Sequence, residues 1–401
     1  MNRQSPNKKV FVGLSGGVDS AVSCALLKNA GFDVTGVFIK VWQPDWIECT
    51  WREDRRDAMR VAAHLGVPFI TLDLEKEYKQ GVIDYMIAEY RAGRTPNPDV
   101  MCNREVKFGA FWRWAKEQDA DYVATGHYSR INLFPSPTRS FGEQIARSAS
   151  SPHEVSARSK IDANNFQLLA GSDHNKDQSY FLWTLNQDDL AHVIFPVGNL
   201  VKPEVRKLAK KFKLPNAEKK DSQGLCFIGK IDIKEFLAHY IKTEKGNVLN
   251  EQGEVIGSHP GSLLFTIGER HGFTITTKTN SDAPYYVTDK DVERNTITVS
   301  NKEFSHLLPG AERKVHIERV NWISGEIPPI GKSINASAGA TKEFPFQARS
   351  RYRQELQNIR MVSANFSETV LEFEKPQDTL TSGQSLVIYD GEVCLGGGVI
   401  I

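Results

Sequence analysis

The chain has 401 residues, of which 40% are hydrophobic and 25% are charged, and its formal net charge is +1. These proportions are those of an ordinary globular protein with room for two or three domains. No run approaches the roughly 18 apolar residues of a membrane span, and the amino-terminal residues do not have the pattern of a secretory signal.

The five cysteines are scattered and odd in number, so they do not indicate a disulfide framework. None of them forms a CxxC or Cys/His cluster, which argues against a structural zinc site. We therefore expect a cytoplasmic protein with reduced thiols and no membrane contact. The near-zero net charge neither requires nor excludes a nucleic-acid partner, so local basic patches must decide.

Strand and helix patterns alternate through the first third of the chain. Strands are predicted at residues 9–14, 32–42, 67–74 and 121–128, and helices at residues 21–31, 52–66 and 77–93. This alternation predicts an α/β fold with a doubly wound parallel sheet, whose ligands bind at the carboxyl ends of the strands.

The pattern changes twice after the α/β part. Residues 134–165 are rich in Ser, Pro and Arg, which predicts a surface insertion. Beyond Gly246 the chain has short β-like runs, and from about Val315 these runs suggest an antiparallel β-barrel. We therefore predict a catalytic domain at residues 1–225, a small mixed or β central domain at 226–305 and a carboxyl-terminal β-barrel at 306–401.

The stretch "SGGVDS", residues 15–20, lies between a predicted strand and a predicted helix. Its glycines allow close approach of an anion to backbone N–H groups, so it predicts nucleotide binding. It matches neither the Walker loop nor the dinucleotide fingerprint. An acid inside a phosphate loop points to a divalent cation beside Asp19, and the alternative is a simple tight turn.

The stretch "PNPDVMCNREVKFG", residues 96–109, places Cys102 at the predicted start of a helix, with Asn103 as a candidate cap. A helix amino terminus favours a thiolate, which would make Cys102 a nucleophile. The alternative is a small buried apolar residue. Cys24, Cys49 and Cys394 are predicted to serve packing.

Six separated motifs carry a family resemblance: "SGGVDS", "GRTPNPDVMCNREVKFG", "DYVATGHYSR", "NKDQSYFLWTL", "DSQGLCFIGK" and "DGEVCLGGGVI". Together they resemble the bacterial tRNA-specific 2-thiouridylases, a family of the PP-loop ATP pyrophosphatase superfamily with a Rossmann-like catalytic domain. The resemblance runs from about Lys9 to Ile401 and breaks mainly at 134–165. It implies an enzyme that adenylates the C2 oxygen of the wobble uridine with ATP and replaces it with sulfur.

The resemblance also implies site residues. Cys102 would be the nucleophile, Cys226 the persulfide carrier and Asp99 the proton-transfer residue. ATP would be bound by Gly13, Leu14, Ser15, Gly16, Gly17, Val18, Asp19, Ser20, Ile39 and Gly126, with Mg2+ near Asp19. The tRNA would be contacted by Asn97, Pro98, Asp99, His127, Lys176, Asp177, Gln178, Arg351, Tyr352 and Gln384. The implied partners are tRNA and a sulfur-donor protein, and we expect a monomer.

Charge patterning favours an RNA partner independently. Residues 202–220 hold eight Lys/Arg against two Glu. Arg349, Arg351 and Arg353 alternate, so a strand would place all three on one face, and such rows suit phosphates. The alternative for each row is a solvated surface.

Two other functions are compatible with a PP-loop. One is an adenylating ligase or amidotransferase, which would have no use for the Cys102 and Cys226 pair. The other is a non-catalytic RNA-binding protein, which would not need an intact "SGGVDS" together with both cysteines.

Overall fold

The computed structural model describes residues 7–47, 51–133, 166–221, 226, 232–276, 283–301, 313–330, 343–377 and 380–401. The predicted insertion at 134–165 and Cys49 lie outside these ranges. Within them, no helix combines the length and the apolar character needed to cross a membrane.

The strands are β1 (Lys9–Gly13), β2 (Asp33–Lys40), β3 (Phe69–Asp73), β4 (Tyr122–Ala124), β5 (Ser129–Leu133), β6 (Phe166–Ala170), β7 (Val193–Ile194), β8 (Gly246–Leu249), β9 (Val255–His259), β10 (Thr274–Ile275), β11 (Tyr286–Asp291), β12 (Thr296–Ser300), β13 (Lys314–Trp322), β14 (Phe346–Arg349), β15 (Gln357–Ala364), β16 (Glu368–Phe373), β17 (Ser385–Asp390) and β18 (Val393–Ile400). The helices are α1 (Val18–Asn29), α2 (Trp51–Leu65), α3 (Glu75–Tyr78), α4 (Tyr85–Arg91), α5 (Pro98–Met101), α6 (Phe111–Glu117), α7 (Gln187–His192), α8 (Lys202–Lys211) and α9 (Ile233–Ala238).

Two helical turns of unusual width interrupt the α/β part. The π-helical segment Lys79–Asp84 joins α3 to α4, and the π-helical segment Cys102–Ala110 joins α5 to α6. Segments of this kind occur often at functional sites because they break the regular α-helical spacing of side chains.

A parallel sheet forms the amino-terminal part, with the strand order β3-β2-β1-β4-β7. Side chains alternate across β1, so Val10 and Val12 pack into one apolar cluster and Phe11 packs into a second cluster on the other face. The predicted strands and helices of residues 9–93 and the strand at β4 are confirmed. The strand order reverses between β1 and β4, which is where such sheets bind ligands.

The rest of the chain forms two further sheets. A mixed sheet has the order β10-β9-β8-β12-β11, with β8 and β12 parallel. Among the described residues, β13, β16, β15, β14, β17 and β18 close into an antiparallel barrel through the pairing of β13 with β18. Gly396 permits this closure, because a Cβ atom there would lie 2.0 Å from the carbonyl oxygen of Asn321. The predicted α/β, mixed-sheet and barrel architecture is confirmed.

The barrel is joined to the α/β part by backbone pairing and by a buried ion pair. The β5–β6 hairpin extends the barrel sheet through the pairing of β6 with β18. Arg349 donates to the Asp177 carboxylate, and each side chain is about 7% exposed or less. The Tyr180 hydroxyl donates to the carbonyl oxygens of Ser350 and Ser385. The segment that follows β6 therefore anchors the barrel.

The ion pair corrects one sequence-based expectation. Arg349 ends β14, whereas Arg351 and Arg353 lie beyond the strand, so the three arginines do not share a strand face. Arg353 has a φ of 65°, which is left-handed backbone rather than strand. Only the latter two arginines remain candidates for phosphate contacts.

We expect Arg349→Met to lower the free energy of unfolding by about 3–5 kcal/mol, because it leaves the Asp177 carboxylate buried without its partner. Urea unfolding followed by circular dichroism measures this loss. Arg60→Met, which removes a surface ion pair with Asp57, is the control and should cost at most about 0.5 kcal/mol. Equal effects of the two substitutions would contradict a stabilising role for the buried pair.

Candidate active site

A cavity of about 550 Å³ lies at the carboxyl edge of the parallel sheet. Its wall includes the loop after β1, the ends of β2 and β4, the start of the second π-helical segment and Cys226. The barrel contributes Tyr352 and Arg353. One continuous space therefore connects the phosphate-type loop to a cysteine that is distant in sequence.

The loop at residues 15–20 takes a conformation that only glycine accommodates easily at one position. Gly16 has a φ of +77°, and a Cβ atom there would lie 2.4 Å from the carbonyl oxygen of Asp54. Asn216 donates to the carbonyl oxygens of Gly16 and Gly17 at 2.9 and 3.1 Å. Ser20 Oγ accepts from the Ser15 backbone N–H at 3.2 Å. These contacts set the loop conformation at the amino terminus of α1.

Gly126 follows β4 and lies against the same loop. A Cβ atom at Gly126 would lie 2.7 Å from the backbone nitrogen of Ser20 and 2.9 Å from the carbonyl carbon of Asp19. The strand end and the loop can approach this closely only because residue 126 has no side chain. A nucleotide crossing the sheet at this point would meet both backbones.

Asp19 is held by a lysine rather than lying open for a metal. Lys202 Nζ donates to both carboxylate oxygens of Asp19 at 2.7 and 2.9 Å, and the Tyr128 hydroxyl donates to Oδ1 at 2.8 Å. Lys202 also pairs with Asp221, which Lys176 contacts at 2.6 Å. Burial raises the pKa of Asp221, but the hydrogen bonds from Lys176 and Lys202 outweigh it and bring the value to about 2.

The two candidate catalytic cysteines meet at the far end of the cavity. Cys102 Sγ and Cys226 Sγ are 3.4 Å apart, and the Cys102 thiol donates to the Cys226 sulfur. The backbone of Cys226 is fixed on both sides, because its N–H donates to Asp99 Oδ1 at 3.1 Å and its carbonyl oxygen accepts from the Tyr78 hydroxyl at 2.8 Å. Residues separated by 124 positions thus form one thiol pair.

The pKa values of the two thiols are shifted in opposite directions. The hydrogen bond from Cys102 lowers the pKa of Cys226, burial opposes this, and the positive charge of Lys107 lowers it further. Burial raises the pKa of Cys102 well above its usual value. Burial lowers the pKa of Lys107, but the Cys226 and Cys102 sulfurs outweigh that effect and raise it overall. Burial also raises the pKa of Asp99. The surroundings therefore favour a thiolate at Cys226 over one at Cys102.

Comparisons with known proteins agree along the whole chain. Family models described as "tRNA methyl transferase HUP domain", "tRNA methyl transferase PRC-barrel domain" and "Aminomethyltransferase beta-barrel domain" match residues 8–230, 234–301 and 312–400. The tRNA-specific 2-thiouridylase MnmA 1 of Geobacillus kaustophilus is 42% identical over 98% of this chain and 95% of its own length. The tRNA-specific 2-thiouridylase MnmA of Thiobacillus denitrificans is 42% identical over 98% of this chain and 99% of its own length.

The chain belongs to the bacterial tRNA-specific 2-thiouridylase family. The corresponding enzyme of Shewanella amazonensis is 41% identical over 98% of this chain and 94% of its own length. The resemblance drawn from the six motifs is thus confirmed.

The structure brings most of the sequence-predicted site residues to the cavity. Its lining contains the following members of that set: Gly13, Leu14, Ser15, Gly17, Val18, Asp19, Ser20, Ile39, Asp99, Gly126, His127, Lys176, Gln178, Cys226 and Tyr352. Cys102 is fully buried behind Cys226 and does not line the cavity. Burial lowers the pKa of His127 well below its usual value, so this imidazole is neutral.

Other predicted residues serve as supports for the site. The Asn97 side chain caps α5 by accepting from the Val100 backbone N–H, with Pro98 in the first turn. Gln384 Nε2 donates to the carbonyl oxygen of Thr95 at 2.9 Å, which ties the barrel to the loop before α5. These two contacts hold the segment that leads into Cys102.

Two expectations are corrected. The helix around Cys102 begins at Pro98, so Asn103 is not its cap and Cys102 is not at a helix amino terminus. Asp177 is 5% exposed and is engaged by Arg349 and Ser179, so it supports the barrel rather than lying where RNA could reach it. Arg351 is half-buried and donates to the carbonyl oxygen of Ile267, and its contact with tRNA stays a prediction.

The remaining cysteines in the described ranges have no access to this chemistry. Cys24 lies on α1 and Cys394 on β18, and both are buried. Burial raises the pKa of each thiol to about 12. Both are packed as neutral thiols, in agreement with the prediction that they serve packing.

Sequence reasoning missed four residues that build the site: Tyr78, Lys107, Lys202 and Asn216. Lys107 lies five positions after Cys102, and the wide turn of the π-helical segment brings it back to the thiols. Lys202 belongs to the basic stretch that the sequence alone presents as a surface row. Charge periodicity alone could not distinguish Lys202, which binds Asp19, from the exposed lysines that follow it on α8.

We expect Lys107→Met to raise the pKa of Cys226, because it removes the cation that stabilises the thiolate. The pH profile of Cys226 alkylation should move to higher pH, and the rate at neutral pH should fall about tenfold for each pH unit by which the profile moves. Peptide mass spectrometry after brief iodoacetamide treatment measures modification at residue 226 specifically. Lys116→Met, at an exposed lysine on α6, is the control, and an unchanged profile in Lys107→Met would contradict this role.

Proposed function

We propose that the chain is an ATP-dependent tRNA sulfurtransferase that converts the wobble uridine of tRNA to 2-thiouridine and releases AMP and pyrophosphate. The observation that carries the proposal is the single cavity that joins a PP-loop to the Cys102–Cys226 pair. Adenylation acts on the C2 oxygen and sulfur transfer on the C2 carbon bonded to it, so both groups must be reachable from one bound base. Family membership supports the same reaction.

In this proposal ATP binds across the strand ends. The Ser15–Ser20 loop would receive the pyrophosphate end, as backbone N–H groups at the amino terminus of α1 favour an anion. Ile39 is 6% exposed on the cavity wall and offers an apolar contact for the adenine. Gly126 would allow the nucleotide to pass close to the backbone after β4.

The surroundings of Asp19 do not fit a metal site built by the protein. Both of its oxygens already accept from Lys202, and the described residues contain no cluster of three or more metal-ligating side chains. Magnesium usually binds proteins through few carboxylates and keeps water and substrate phosphates as ligands. Lys202 therefore balances the charge of Asp19.

Sulfur transfer would use the two thiols in sequence. The C2 oxygen of the uridine attacks the α-phosphorus of ATP, and pyrophosphate leaves. A persulfide on Cys226 then supplies its terminal sulfur to C2, and AMP leaves. Attack of Cys102 on the Cys226 sulfur forms a disulfide and frees the thiolated base. Alternatively, Cys102 attacks first, and the released sulfide displaces AMP. Either order ends in a disulfide that an external thiol must reduce.

The 3.4 Å separation of the sulfurs supports this sequence, because a disulfide needs an approach to about 2.05 Å. Asp99 would serve as the proton-transfer group, since its pKa is raised by burial and it lies beside Cys226. The lowered pKa of Cys226 suits acceptance of a persulfide sulfur.

The tRNA would lie across the open side of the cavity. The helix α8, whose Lys202 contacts Asp19, and the segment after it carry four exposed lysines that would bind the RNA backbone: Lys207, Lys210, Lys211 and Lys213. Tyr352 and Arg353 bring the barrel to the cavity rim. The uridine would leave the anticodon stack to enter, as base-modifying enzymes require. A persulfide-donating protein is the proposed sulfur source, and the monomeric state stays a prediction.

Incubation of the purified protein with tRNA, ATP, Mg2+ and a persulfide source tests the reaction. Nucleoside mass analysis should detect 2-thiouridine, with AMP formed in step. Adenylation of an amino acid with no thiolated nucleoside would instead support the ligase class. Retention of tRNA with no AMP would support a non-catalytic RNA-binding protein.

We expect Cys226→Ser to bind ATP and tRNA but to form no 2-thiouridine, because an alkoxyl oxygen cannot carry the sulfane sulfur. Cys102→Ser should accept a persulfide at residue 226 but should not sustain turnover. Cys24→Ser is the control and should change only stability, by about 0.5–3 kcal/mol. Thiolation at full rate by Cys102→Ser, without a 102–226 disulfide after turnover lacking reductant, would contradict the two-thiol sequence.

We expect Asp19→Ala to abolish AMP formation while tRNA binding persists, because the loop loses the carboxylate that holds Lys202 and Tyr128. Release of labelled AMP and a filter-binding measurement with tRNA give the two readouts. Asp188→Ala is the matched control, since that carboxylate is 77% exposed on α7. AMP formation at the parent rate in Asp19→Ala would exclude Asp19 from the nucleotide site.

A further inference from the structure

Asn103 carries an unused hydrogen-bond acceptor at the edge of the active-site cavity. The residue follows Cys102 in the second π-helical segment and is 2% exposed. Its Nδ2 donates to the carbonyl oxygen of Phe181 at 3.0 Å. Its Oδ1 meets no donor within the described part of the chain, although it is withdrawn from solvent. A buried polar atom in this condition calls for an explanation, and a ligand is one.

The orientation of this side chain is fixed by its neighbour. Rotating the amide by half a turn would place Oδ1 against the Phe181 carbonyl oxygen, and two acceptors would then face each other. The acceptor therefore points away from Phe181. Asn103 lines the cavity and directly follows Cys102 in the second π-helical segment, so it lies at the thiol end.

We propose that Asn103 Oδ1 accepts the N3–H of the uracil that enters this cavity, and so selects uracil over cytosine. The inference rests on the proposed function. Uracil has a single ring N–H, at N3, beside the C2 oxygen that must meet ATP and sulfur. Cytosine presents an N3 lone pair at the same position, so it would set acceptor against acceptor. An amide does not take up a proton at neutral pH, so Asn103 positions and selects the base.

The adjacent aromatic rings suit the same ligand. Phe181 and Tyr352 both line the cavity, and their ring centroids are 4.7 Å apart. Flipped bases are commonly held by stacking on such rings and by hydrogen bonds to their Watson–Crick edge. Because Phe181 also fixes the Asn103 amide, the stacking surface and the edge-reading acceptor are set by one residue.

The test measures RNA binding in the presence of α,β-methylene-ATP, from which pyrophosphate cannot leave. Anticodon stem-loops carry uridine, cytidine or 3-methyluridine at the wobble position. The parent protein should bind uridine about tenfold more tightly than either alternative, as one buried hydrogen bond predicts. In Asn103→Ala the uridine preference should disappear, and 3-methyluridine should gain affinity because its methyl group occupies the vacated space.

Asn132→Ala is the matched control. The Asn132 Oδ1 also meets no donor in the described ranges, but the residue lies on β5 and does not line the cavity. This variant should keep the parent's selectivity. If Asn103 had only a structural role, Asn103→Ala would bind all three RNAs more weakly by the same factor, and that result would overturn the inference. A change in the KM for ATP with unchanged base selectivity would also overturn it.

Two further readouts keep the outcomes separate. If Asn103→Ala does not fold, the affinities of the parent protein are the test. Equal binding of the uridine and 3-methyluridine RNAs by the parent would overturn the inference. If the parent forms no 2-thiouridine in the turnover assay, the proposed function itself fails. Thiolation by the parent with no change of selectivity in Asn103→Ala would overturn only the role of Asn103.

Discussion

The contact between the Cys102 and Cys226 sulfurs is the constraint on which the site depends. Cys226 is held there by its own backbone, with Asp99 accepting from its N–H and Tyr78 donating to its carbonyl oxygen. Three segments that are distant in sequence therefore have to pack together before either thiol has its chemistry. The hydrogen bond between them also distinguishes the two thiols, because it lowers the pKa of Cys226 and contributes to the raised pKa of Cys102.

The parallel sheet supplies the other half of the site. Its strand order reverses between β1 and β4, and the backbone after each strand meets the other at Gly126. This arrangement opens the cavity at the carboxyl edge and aims the amino terminus of α1 into it. The barrel completes the wall with Tyr352 and Arg353, and the buried Asp177–Arg349 pair holds it in place. The ion pair that stabilises the interface thus also holds in place the barrel residues that line the cavity.

Lysines balance the charge of the carboxylates that line the cavity. Lys202 bridges Asp19 and Asp221, and Lys176 shares Asp221. These lysines lie where phosphates would be expected, so an incoming nucleotide would exchange carboxylate partners for phosphate oxygens. The basic stretch at residues 202–220 is therefore divided, with Lys202 turned into the cavity and other lysines exposed on α8.

The sequence by itself determined the order of the strands and helices, the PP-loop and the family, because these depend on local periodicity and on short contiguous motifs. It also identified the two cysteines through their motifs. Only the tertiary structure decided that Asn103 is a buried acceptor instead of a helix cap, that Asp177 is an internal ion-pair partner, and that Lys107 reaches the thiols. Side-chain burial, the wide turn of a π-helical segment and contacts between residues more than a hundred positions apart have no local signature. Their effect on pKa and on hydrogen bonding arises only when the chain is folded.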